Sequence, residues 1–492
     1  MKGPTSKYAS KYTCGRHLSF GNRTLVILFE RWLKYSKFSS GNFRVDARAR
    51  TYAFWLTHRV HACVRGVLVL APLLSPPPSA RDRSQTTMWW TVLLLIALAS
   101  SNGKRLGGMF QHFCFLQSDA QVFCFGNNNL GALGVGTRDT VSFPTQMLNI
   151  QGAMDVAAGQ FHSCVVDQPL GRARCTGDNS ALALGHPNLA WSNVLVDVHS
   201  LGSKVQQVFA GFQHSCALSM MGKVKCWGIN SQGELGDGTR QPRSTPVDLV
   251  KLDLNVAMVA LGVFHTCLLV SGTGQVYCHG INTNGQLGDG TTRDRLEPGL
   301  VLGGLRATSI SAGAVHSCAV SIENQVFCWG NDDYGQLGQG DRTLGQRWPV
   351  LVFEGTFAMQ VWSGFATTLV IKLDGSGALG FGENSFGQLG TGNTRPQYLA
   401  QTFAHNRSGV VDIKGGTFTT CILDQYDNVE CVGDNTFGQL GRGMGSPMSL
   451  VLAPVSPTGV LVSTVEIALV ETNCGTVVLG SGWLLLLWLD FV

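Results

Sequence analysis

The sequence predicts an all-β fold, a seven-bladed β-propeller, because of a repeat and of the pattern inside that repeat. One short turn motif recurs seven times along the chain, at steps of 51, 51, 52, 50, 52 and 51 residues. The glycines that end the seven motifs are Gly134, Gly185, Gly236, Gly288, Gly338, Gly390 and Gly441. Self-similarity at a fixed period of this length is typical of propellers and solenoids.

The pattern inside one repeat favours a propeller. In Gly222–Gly228, apolar residues alternate with Lys223 and Lys225, as in a strand that buries one face. Val205–Ala210 and Val256–Leu261 each precede a cysteine-bearing segment and are rich in apolar and β-branched residues. Short strands and glycine turns in a unit of about 50 residues fit one four-stranded blade, and a ring of seven blades leaves no long sheet edge open.

An asparagine or aspartate lies two residues after the glycine that ends each cysteine-bearing strand. These residues are Asn128, Asn179, Asn230, Asn282, Asp332, Asn384 and Asn435. Such side chains can fold back onto their own backbone, which predicts an Asx turn. The paired glycines that follow, such as Gly233 and Gly236, permit positive φ or a close approach of blades. Leu182 replaces the first of these glycines in the second repeat, so we expect an altered turn there.

Several strings of the sequence resemble a known repeat. GFQHSCAL, VKCWGINSQGELGDGT and VFCWGNDDYGQLGQG are similar to repeats of the regulator-of-chromosome-condensation family. The resemblance covers about Met109 to Val470 and implies a seven-bladed β-propeller. The paired cysteines resemble a secreted-looking branch of that family more closely than its nuclear founder.

Both ends of the propeller are expected to take part in closing the ring. Phe110–Leu116 matches the cysteine strand of later repeats, but no clear inner strand precedes it. Val455–Val470 follows the seventh turn motif and contains Val460–Val462 and Val465–Leu469, which have the character of an inner strand. We therefore predict that N- and C-terminal strands share one blade of a propeller at residues 107–470.

The first 87 residues differ from the rest in charge. They hold 15 Lys or Arg and 3 Asp or Glu, a net charge of +12, whereas the remaining residues hold 21 and 28, a net charge of −7. No convincing periodicity runs through residues 1–87, which end near the proline cluster Pro76–Pro78. We expect a disordered basic leader or an upstream read-through of a gene model, and favour the second.

Residues 88–99 have the character of a secretory signal. The apolar run Trp89–Ala99 has about the length of a signal-peptide core and is short for a membrane span. Ala97-Leu98-Ala99 supplies a small-x-small cleavage pattern. Translation from Met88 would make this a signal cleaved near Ala99. A signal anchor or a chance apolar stretch is the alternative.

Residues 471–492 form an apolar tail unlike the repeats. Trp483–Leu489 is too short to span a bilayer, and the tail lacks the polar spacer of a lipid-anchor signal. We expect a buried tail or an erroneous end of the reading frame.

Twelve of the 15 cysteines fall in six pairs with separations of 10 or 11 residues. The pairs are Cys114 with Cys124, Cys164 with Cys175, Cys216 with Cys226, Cys267 with Cys278, Cys318 with Cys328, and Cys421 with Cys431. Each pair straddles one hairpin turn, so its members should face each other on neighbouring strands within disulfide range. Buried free thiols or metal ligands are the alternatives, although zinc sites favour Cys-x2-Cys spacing and four converging ligands.

The sixth repeat supports the disulfide interpretation. Leu369 and Gly380 occupy the two matching positions, so both cysteines are absent together, as expected of a covalent pair. Six such bonds persist only in an oxidising compartment. We therefore predict a secreted or extracellular protein, with a nuclear or cytoplasmic location as the alternative.

Two further groups of residues invite a functional interpretation. His112, His162, His214, His265 and His316 each lie two residues before a cysteine. A residue repeated once per blade is more often structural than catalytic or metal-binding, and an imidazole there can bridge backbone groups of adjacent strands. Trp227 and Trp329 are interpreted in the same way, as blade-packing residues.

The residues point to binding and not to catalysis. We find no nucleophile–base–carboxylate set, no phosphate loop and no paired acids in a distinctive context, so we predict no catalytic, metal or cofactor-binding residue. The net charge of −7 after residue 87 argues against a nucleic-acid partner. Asn406-Arg407-Ser408 is a glycosylation acceptor. A membrane contact is expected only through an uncleaved signal segment.

Three functions remain open at this stage. We favour a non-enzymatic scaffold that binds a protein partner through loops on one propeller face, with variable segments such as Arg240–Thr245 and Asp341–Arg347 in the contact surface. The resemblance implies, as one alternative, a guanine-nucleotide exchange factor or chromatin-associated regulator like the family founder. An enzyme inhibitor is the other alternative.

Overall fold

The computed structural model describes residues 106–340, 345–352, 357–403 and 408–456, and two short hairpins nearer the amino terminus. These hairpins pair β1 with β2 and β3 with β4, at Ser19–Phe20, Arg23–Thr24, Ala62–Val64 and Val67–Val69. The chain separates into two compact units, Met1–Trp89 and Trp90–Val492. The signal-like segment 88–99, Asn406, residues 457–470 and the tail 471–492 lie outside the described residues.

Seven four-stranded antiparallel sheets make up the second unit, and they confirm the predicted seven-bladed propeller. The first blade contains β5–β8, at Leu106–Gly108, His112–Leu116, Val122–Gly126 and Val141–Gln146. The second contains β9–β12, at Ala153–Ala158, His162–Asp167, Ala173–Asp178 and Trp191–Asp197. The third contains β13–β16, at Val205–Ala210, His214–Ser219, Val224–Gly228 and Arg243–Asp248. The fourth contains β17–β20, at Val256–Leu261, His265–Val270, Val276–Gly280 and Arg295–Leu300.

The remaining three blades follow the same order. The fifth contains β21–β24, at Ala307–Ala312, His316–Ser321, Val326–Gly330 and Gln346–Leu351. The sixth contains β25–β28, at Ala358–Ser363, Thr367–Lys372, Ala378–Gly382 and Gln397–Phe403. The seventh contains β29–β32, at Val410–Gly415, Thr419–Asp424, Val429–Asp434 and Met448–Pro454. Within the described ranges, no helix has the length and apolar character needed to cross a membrane.

Apolar packing joins the blades in neighbouring pairs. Seven buried clusters each combine side chains from two adjacent blades. The cluster around Trp227 joins the second blade to the third. Another cluster contains Leu106 and Phe113 together with Cys421 and Leu440, so the first blade packs against the seventh. Burial between blades, and not within an isolated blade, therefore supplies the hydrophobic core.

The inner strand of the first blade differs from the prediction. Leu106–Gly108 takes this place and pairs with β6, so the expectation that no inner strand precedes Phe110 was wrong. This strand is short and carries two glycines, which left no alternating pattern to recognise. Gly107 is needed because a Cβ there would lie 2.8 Å from the backbone nitrogen of Ala158 on the neighbouring inner strand.

The first and seventh blades also share a direct hydrogen bond. The backbone nitrogen of Leu106 donates to Oδ2 of Asp412 at 3.0 Å. A further strand contributed by Val465–Leu469 stays a prediction, because residues 457–470 lie outside the described part of the chain.

In each blade, a hydrogen bond to the side chain of the repeated asparagine or aspartate stabilises the loop between the third and fourth strands. In all seven blades the side-chain Oδ1 accepts a hydrogen bond at 2.8–3.0 Å from the backbone nitrogen of a leucine five residues later. In the third blade, for example, Asn230 bonds Leu235, and its Nδ2 donates to the carbonyl of Gln241. The side chain therefore spans the whole loop, and the predicted short Asx turn was wrong.

The turn of the second blade keeps its geometry without its glycine. Leu182 has φ +64°, in the same left-handed region as Gly131 at +81° and Gly233 at +90°. The nitrogen of Leu182 still bonds the carbonyl of Asn179 at 2.9 Å. The expectation of an altered turn was wrong, because the neighbouring hydrogen bonds impose the conformation on leucine.

Candidate functional site

The structure brings all twelve predicted cysteines together as six disulfides inside the blades. Their S–S distances are 2.03–2.16 Å and their Cα–Cα distances are 4.1–4.2 Å. The bonds join Cys114 to Cys124, Cys164 to Cys175, Cys216 to Cys226, Cys267 to Cys278, Cys318 to Cys328, and Cys421 to Cys431. These are the pairs that the sequence spacing predicts, and neither free thiols nor shared metal ligands describe them.

Each bond connects the second strand of its blade to the third. The two cysteines of every pair are directly opposed in the strand register. All twelve are buried, with 0–1% of their surface exposed. In the sixth blade Leu369 opposes Gly380 at the same register, so this blade alone lacks the bond.

Burial gives these bonds a structural role. A short loop closed by a disulfide stabilises a fold by roughly 2–3 kcal/mol in the chain-entropy model. A reductant or partner thiol reaches a sulfur only after the blade opens, because no disulfide sulfur lies at the surface. Across the described residues, no group of three or more His, Cys, Asp or Glu side chains is arranged to hold a metal ion.

The five repeated histidines link each blade to the next. Each imidazole Nε2 lies 2.8–3.1 Å from a serine or threonine hydroxyl of the following blade. The pairs are His112–Ser163, His162–Ser215, His214–Thr266, His265–Ser317 and His316–Thr368. The interpretation as structural residues fits this geometry, although the partner is a side-chain hydroxyl and not the backbone bridge that we expected.

The direction of these bonds follows from the hydroxyl's single proton. Thr266 donates that proton to the carbonyl of Glu234 at 2.9 Å, so His214 must donate from Nε2 and carry no proton on Nδ1. Burial accordingly lowers the pKa of His214 to about 3. A neutral imidazole without free access to solvent is a poor general base, so these residues supply a latch and not a catalytic group.

Trp227 and Trp329 also connect neighbouring blades. The indole Nε1 of Trp227 donates to the carbonyl of Ala183 at 2.8 Å, and that of Trp329 donates to the carbonyl of Gln286 at 2.9 Å. Both side chains are fully buried. The two tryptophans therefore pack blades together and present no surface for stacking a nucleic-acid base.

A cavity of about 410 Å³ lies along the axis between the inner strands. Its lining is mainly apolar, with a small polar group on the sixth and seventh blades. There Lys414 Nζ lies 2.6 Å from Asp412 Oδ1 and 4.4 Å from the ring centre of Trp362. These charges neutralise each other, so the cavity presents no free charged group at this point.

Phenylalanines lie at one end of the inner strands that line this cavity. The loops that leave the inner strands carry Phe110, Phe161, Phe212, Phe264, Phe365 and Phe418, here called the phenylalanine circle. The fifth blade has Ala314 and Val315 instead. Each of the six is at least partly exposed, and 40% of the Phe365 surface is accessible. No hydrogen bond or turn geometry requires an aromatic side chain at these positions.

Four of the six phenyl rings contact each other. Phe110 lies edge-on to Phe161 at 6.2 Å and to Phe212 at 5.7 Å, although Phe212 is two blades away. Phe212 in turn lies 5.7 Å from Phe264. Such edge-to-face contacts order the rings in water-accessible positions. The circle is therefore a preformed apolar surface at the end of the propeller, which we call the aromatic face.

The loops between the third and fourth strands lie at the same face. The nitrogen of Ile229 bonds the carbonyl of Gln213 at 3.0 Å, and that of Asp434 bonds the carbonyl of Phe418 at 2.8 Å. The first half of Arg240–Thr245 therefore lies in a loop of the aromatic face and the second half begins β16. Residue 345 of the other predicted variable segment lies in such a loop, and residues 346–347 begin β24. The sequence reasoning missed the phenylalanines themselves. Their position within three residues of each histidine or its threonine substitute was a usable signal.

Comparison with family models gives two matches. Residues 175–481 match the model of the RCC1-like domain, and residues 119–166 match that of the regulator of chromosome condensation (RCC1) repeat. Together they cover most of the blades described above, but not the first two strands of the first blade.

Comparison with known proteins gives relatives of different sizes. The chain is 30% identical to the ultraviolet-B receptor UVR8 of Arabidopsis thaliana over 342 residues, which is 68% of this chain and 77% of that protein. It is 34% identical to the human probable E3 ubiquitin-protein ligase HERC6 over 252 residues, 49% of this chain but only 24% of that protein. Among solved structures, Prp20p of Saccharomyces cerevisiae superposes with a TM-score of 0.62 at 20% identity, over 73% of this chain and 89% of that one.

Proposed function

The chain belongs to the RCC1-like family of seven-bladed propellers, and we propose that it is a non-enzymatic, exported scaffold that binds a protein partner through the aromatic face. The observation that carries this proposal is the phenylalanine circle, a partly exposed apolar surface on rigid loops. Phenyl rings that are ordered before binding lose little conformational entropy in an interface. The rigid blades below them hold the loops in place.

Relatives support the binding of proteins in general. Prp20p was solved together with a study of its binding to Gsp1p and histones. UVR8 carries the name of a receptor. The ligase name of HERC6 belongs to a protein of which this chain covers 24%, so ligase activity is not carried over. These proteins share the fold, and the partner of this chain is set by its own loops.

Export is supported by the cysteines. Six disulfides within a single domain are typical of secreted or cell-surface proteins, because the cytosol keeps thiols reduced. The signal-like sequence of residues 88–99 supports the same route. A nuclear exchange factor, the alternative that the family resemblance offers, would work in a compartment that reduces thiols.

Location can be tested by expressing the full chain in cultured cells and measuring the mass of the secreted product. We expect the protein in the medium, with a mass that rises by about 12 Da on reduction, two hydrogens for each of six bonds. Retention in the nucleus with free thiols at all twelve positions would overturn the export proposal and favour the alternative.

The aromatic face can be tested with two matched double variants of the full chain. Phe212→Gln with Phe365→Gln changes the face, and glutamine already occupies the corresponding loop position at Gln160. Met221→Gln with Tyr426→Gln is the control, since these residues are 76% and 74% exposed on the opposite face. Partners are captured from conditioned medium by cross-linking and identified by mass spectrometry.

We expect the control and the wild type to capture the same partner. The aromatic-face variant should bind that partner about tenfold or more weakly, as for the loss of two interface aromatic residues. Equal capture by both variants would refute the aromatic face as the binding surface.

A further inference from the structure

We propose that the axial cavity is a binding site for a small, flat aromatic molecule that carries an amide-like hydrogen-bonding group. Its described lining includes no member of the phenylalanine circle. Its volume of about 410 Å³ lies within the usual range of small-molecule pockets, about 300–1,000 Å³. An apolar cavity of roughly 150 Å³ already holds benzene, so this one has room for a molecule with two fused rings.

One residue of each inner strand contributes to the lining at the same register position. This residue is directly opposite the first cysteine of its blade, or opposite Leu369 in the sixth blade. Four of the seven are small and three are large, and all line the cavity: Gly107, Ala157, Ala260 and Ser311, and Phe209, Trp362 and Lys414. The small residues leave room for a ligand, and the aromatic residues are confined to the third and sixth blades.

The two aromatic residues belong to opposite sides of the ring. Phe209 lies in the third blade and Trp362 in the sixth, which are three steps apart in one direction and four in the other. Each packs partly against an apolar cluster between blades, yet each also remains partly exposed. A flat aromatic ligand gains favourable contacts with such rings, whereas water in the cavity leaves their apolar surface hydrated.

A side-chain amide accompanies each of these aromatic residues. Gln207 and Gln360 lie two residues before Phe209 and Trp362 on the same strands, and both line the cavity. Within the part of the chain that the structure describes, neither side-chain amide has a hydrogen-bond partner. An amide supplies both a donor and an acceptor. The two glutamines therefore favour a ligand with an amide-like group over a plain hydrocarbon.

The two charged side chains of the described lining already engage each other. Lys414 Nζ lies 2.6 Å from Asp412 Oδ1, and Asp412 Oδ2 accepts the hydrogen bond from the nitrogen of Leu106. Both partners of this ion pair are largely buried, with 15% and 8% of their side chains exposed. Breaking a buried pair costs more than keeping it. A neutral aromatic ligand leaves the pair intact, and neutral probes are therefore used to test the site.

The experiment measures binding of the neutral naphthalene dye prodan to the full chain by its change in fluorescence. Ala157→Phe is designed to fill the cavity. Phe209 occupies the same register position in the next blade, so phenylalanine is compatible with an inner strand there. Ala190→Phe is the matched control, because it makes the same change at an exposed loop residue of the same blade.

We expect saturable binding of the dye to the wild type. Ala157→Phe should weaken this binding about tenfold or more, because the added ring occupies the ligand's volume. Ala190→Phe should change it less than about twofold, as is usual for a surface substitution. Absence of saturable binding, or equal binding by the two variants, would overturn the proposal.

A second pair of variants tests the amides and carries the test alone if Ala157→Phe does not fold. Naphthamide and naphthalene compete with the dye at equilibrium. Gln207→Leu with Gln360→Leu should weaken naphthamide about fivefold or more and leave naphthalene nearly unchanged, because only naphthamide loses hydrogen bonds. Gln206→Leu with Gln401→Leu is the control, at exposed glutamines of the same two blades. Equal weakening of both competitors would refute recognition by the amides.

The aromatic face offers the dye a second apolar surface, which the Phe212→Gln, Phe365→Gln variant distinguishes from the cavity. This variant should bind the dye as the wild type does, because neither phenylalanine lines the cavity. If it loses the dye while Ala157→Phe keeps it, the dye binds the aromatic face and the cavity site is refuted. That result would leave the proposed binding of a protein partner untouched.

Discussion

Leu182 occupies a backbone conformation that glycine occupies in the other six blades. Its φ of +64° lies in the left-handed region, which costs a residue with a Cβ roughly 1–2 kcal/mol. The loop accepts this cost because two hydrogen bonds to Asn179, from the backbone nitrogens of Leu182 and Leu184, hold the turn closed. The strain is confined to the backbone of Leu182 and arises because this residue carries a Cβ.

We therefore expect Leu182→Gly to stabilise the protein by about 0.5–1 kcal/mol, since relief of strain exceeds the extra entropy of glycine in the unfolded chain. Leu130→Gly is the matched control, because Leu130 has an ordinary negative φ in the corresponding loop of the first blade. It should destabilise by about 1 kcal/mol. Urea unfolding measures both, and destabilisation by Leu182→Gly would contradict the argument.

Glu234 is a buried acid at a position where four other blades have glutamine. Its Oε2 accepts a hydrogen bond from the nitrogen of Gln232 at 2.8 Å, as Gln286 and Gln336 accept from the residues two before them. Its Oε1 is buried without a hydrogen-bond partner. Burial raises the pKa of Glu234 above that of an exposed carboxyl.

We expect Glu234→Gln to stabilise the protein at neutral pH. A raised pKa means that the folded state binds the proton more tightly than the unfolded state, so the wild type loses stability as pH rises through about 4.3 towards the folded-state pKa. The stabilisation should be largest at pH 7.5 and fade towards pH 4 in urea titrations. Exposed Glu323→Gln is the control, and an identical effect of both changes would disprove the assignment.

The sixth blade folds without the disulfide that the other six blades contain. Leu369 and Gly380 face each other where the other blades have cystine, and Leu369 fills the space that sulfur occupies elsewhere. A Cβ on Gly380 would lie 3.1 Å from Leu389 Cδ2 and 3.3 Å from Leu369 Cδ2. Shortening Leu369 removes the second of these contacts.

Leu369→Cys combined with Gly380→Cys should therefore form a seventh disulfide. We expect complete oxidation and a gain of roughly 2–3 kcal/mol over the reduced form of the same variant. The gain over the wild type should be smaller, because Leu369 packing is lost. Alkylation with mass measurement reports bond formation, and urea unfolding reports stability. The Leu369→Ser, Gly380→Ser variant is the matched control without a bond. Persistently free thiols would refute the geometry.

The whole ring depends on contacts between neighbouring blades. Five imidazole–hydroxyl latches join six of the blades, and all five histidines are buried. Burial lowers the pKa of His316 to about 3 and that of His162 to about 4. Protonation of any of these histidines requires its latch to open, so acid acts on the entire molecule.

The sign of the resulting pH dependence follows from linkage. Each buried histidine binds a proton in the unfolded state at about pH 6.5 but in the folded state only near pH 3 to 4. Stability should therefore fall as pH drops below about 6.5, by up to roughly 1.4 kcal/mol per pH unit for each histidine.

Between pH 4.5 and 6, His316→Thr should reduce the slope of the unfolding free energy against pH by about 1.4 kcal/mol per pH unit, which is the contribution of one proton. Thr367 and Thr419 already occupy this position in the sixth and seventh blades, so threonine is compatible with the loop. Leu373→Thr, at a residue that is 48% exposed and not titratable, serves as the control and should leave the slope unchanged. Urea unfolding across this pH range measures both, and an unchanged slope for His316→Thr would contradict the latch.

Particular residues show how far sequence reasoning could reach. The cysteine register was predictable because strand pairing around a short hairpin places Cys216 opposite Cys226. The role of Asn230 was only partly predictable, because its bond to Leu235 depends on how the whole loop folds. Leu106–Gly108 gave no signal, since a three-residue strand with two glycines has no periodicity.

The sequence by itself determined the number of blades, the strand pairing and the disulfide pattern. These features are periodic, and a period is visible in one dimension because each blade repeats the same local packing. Only the tertiary structure decided which surface is the aromatic face. Phe110 and Phe212 are about two repeats apart in sequence, and their rings meet only because the ring of blades brings their loops to one axis. The same closure stacks the ring of Phe386 on that of Phe418.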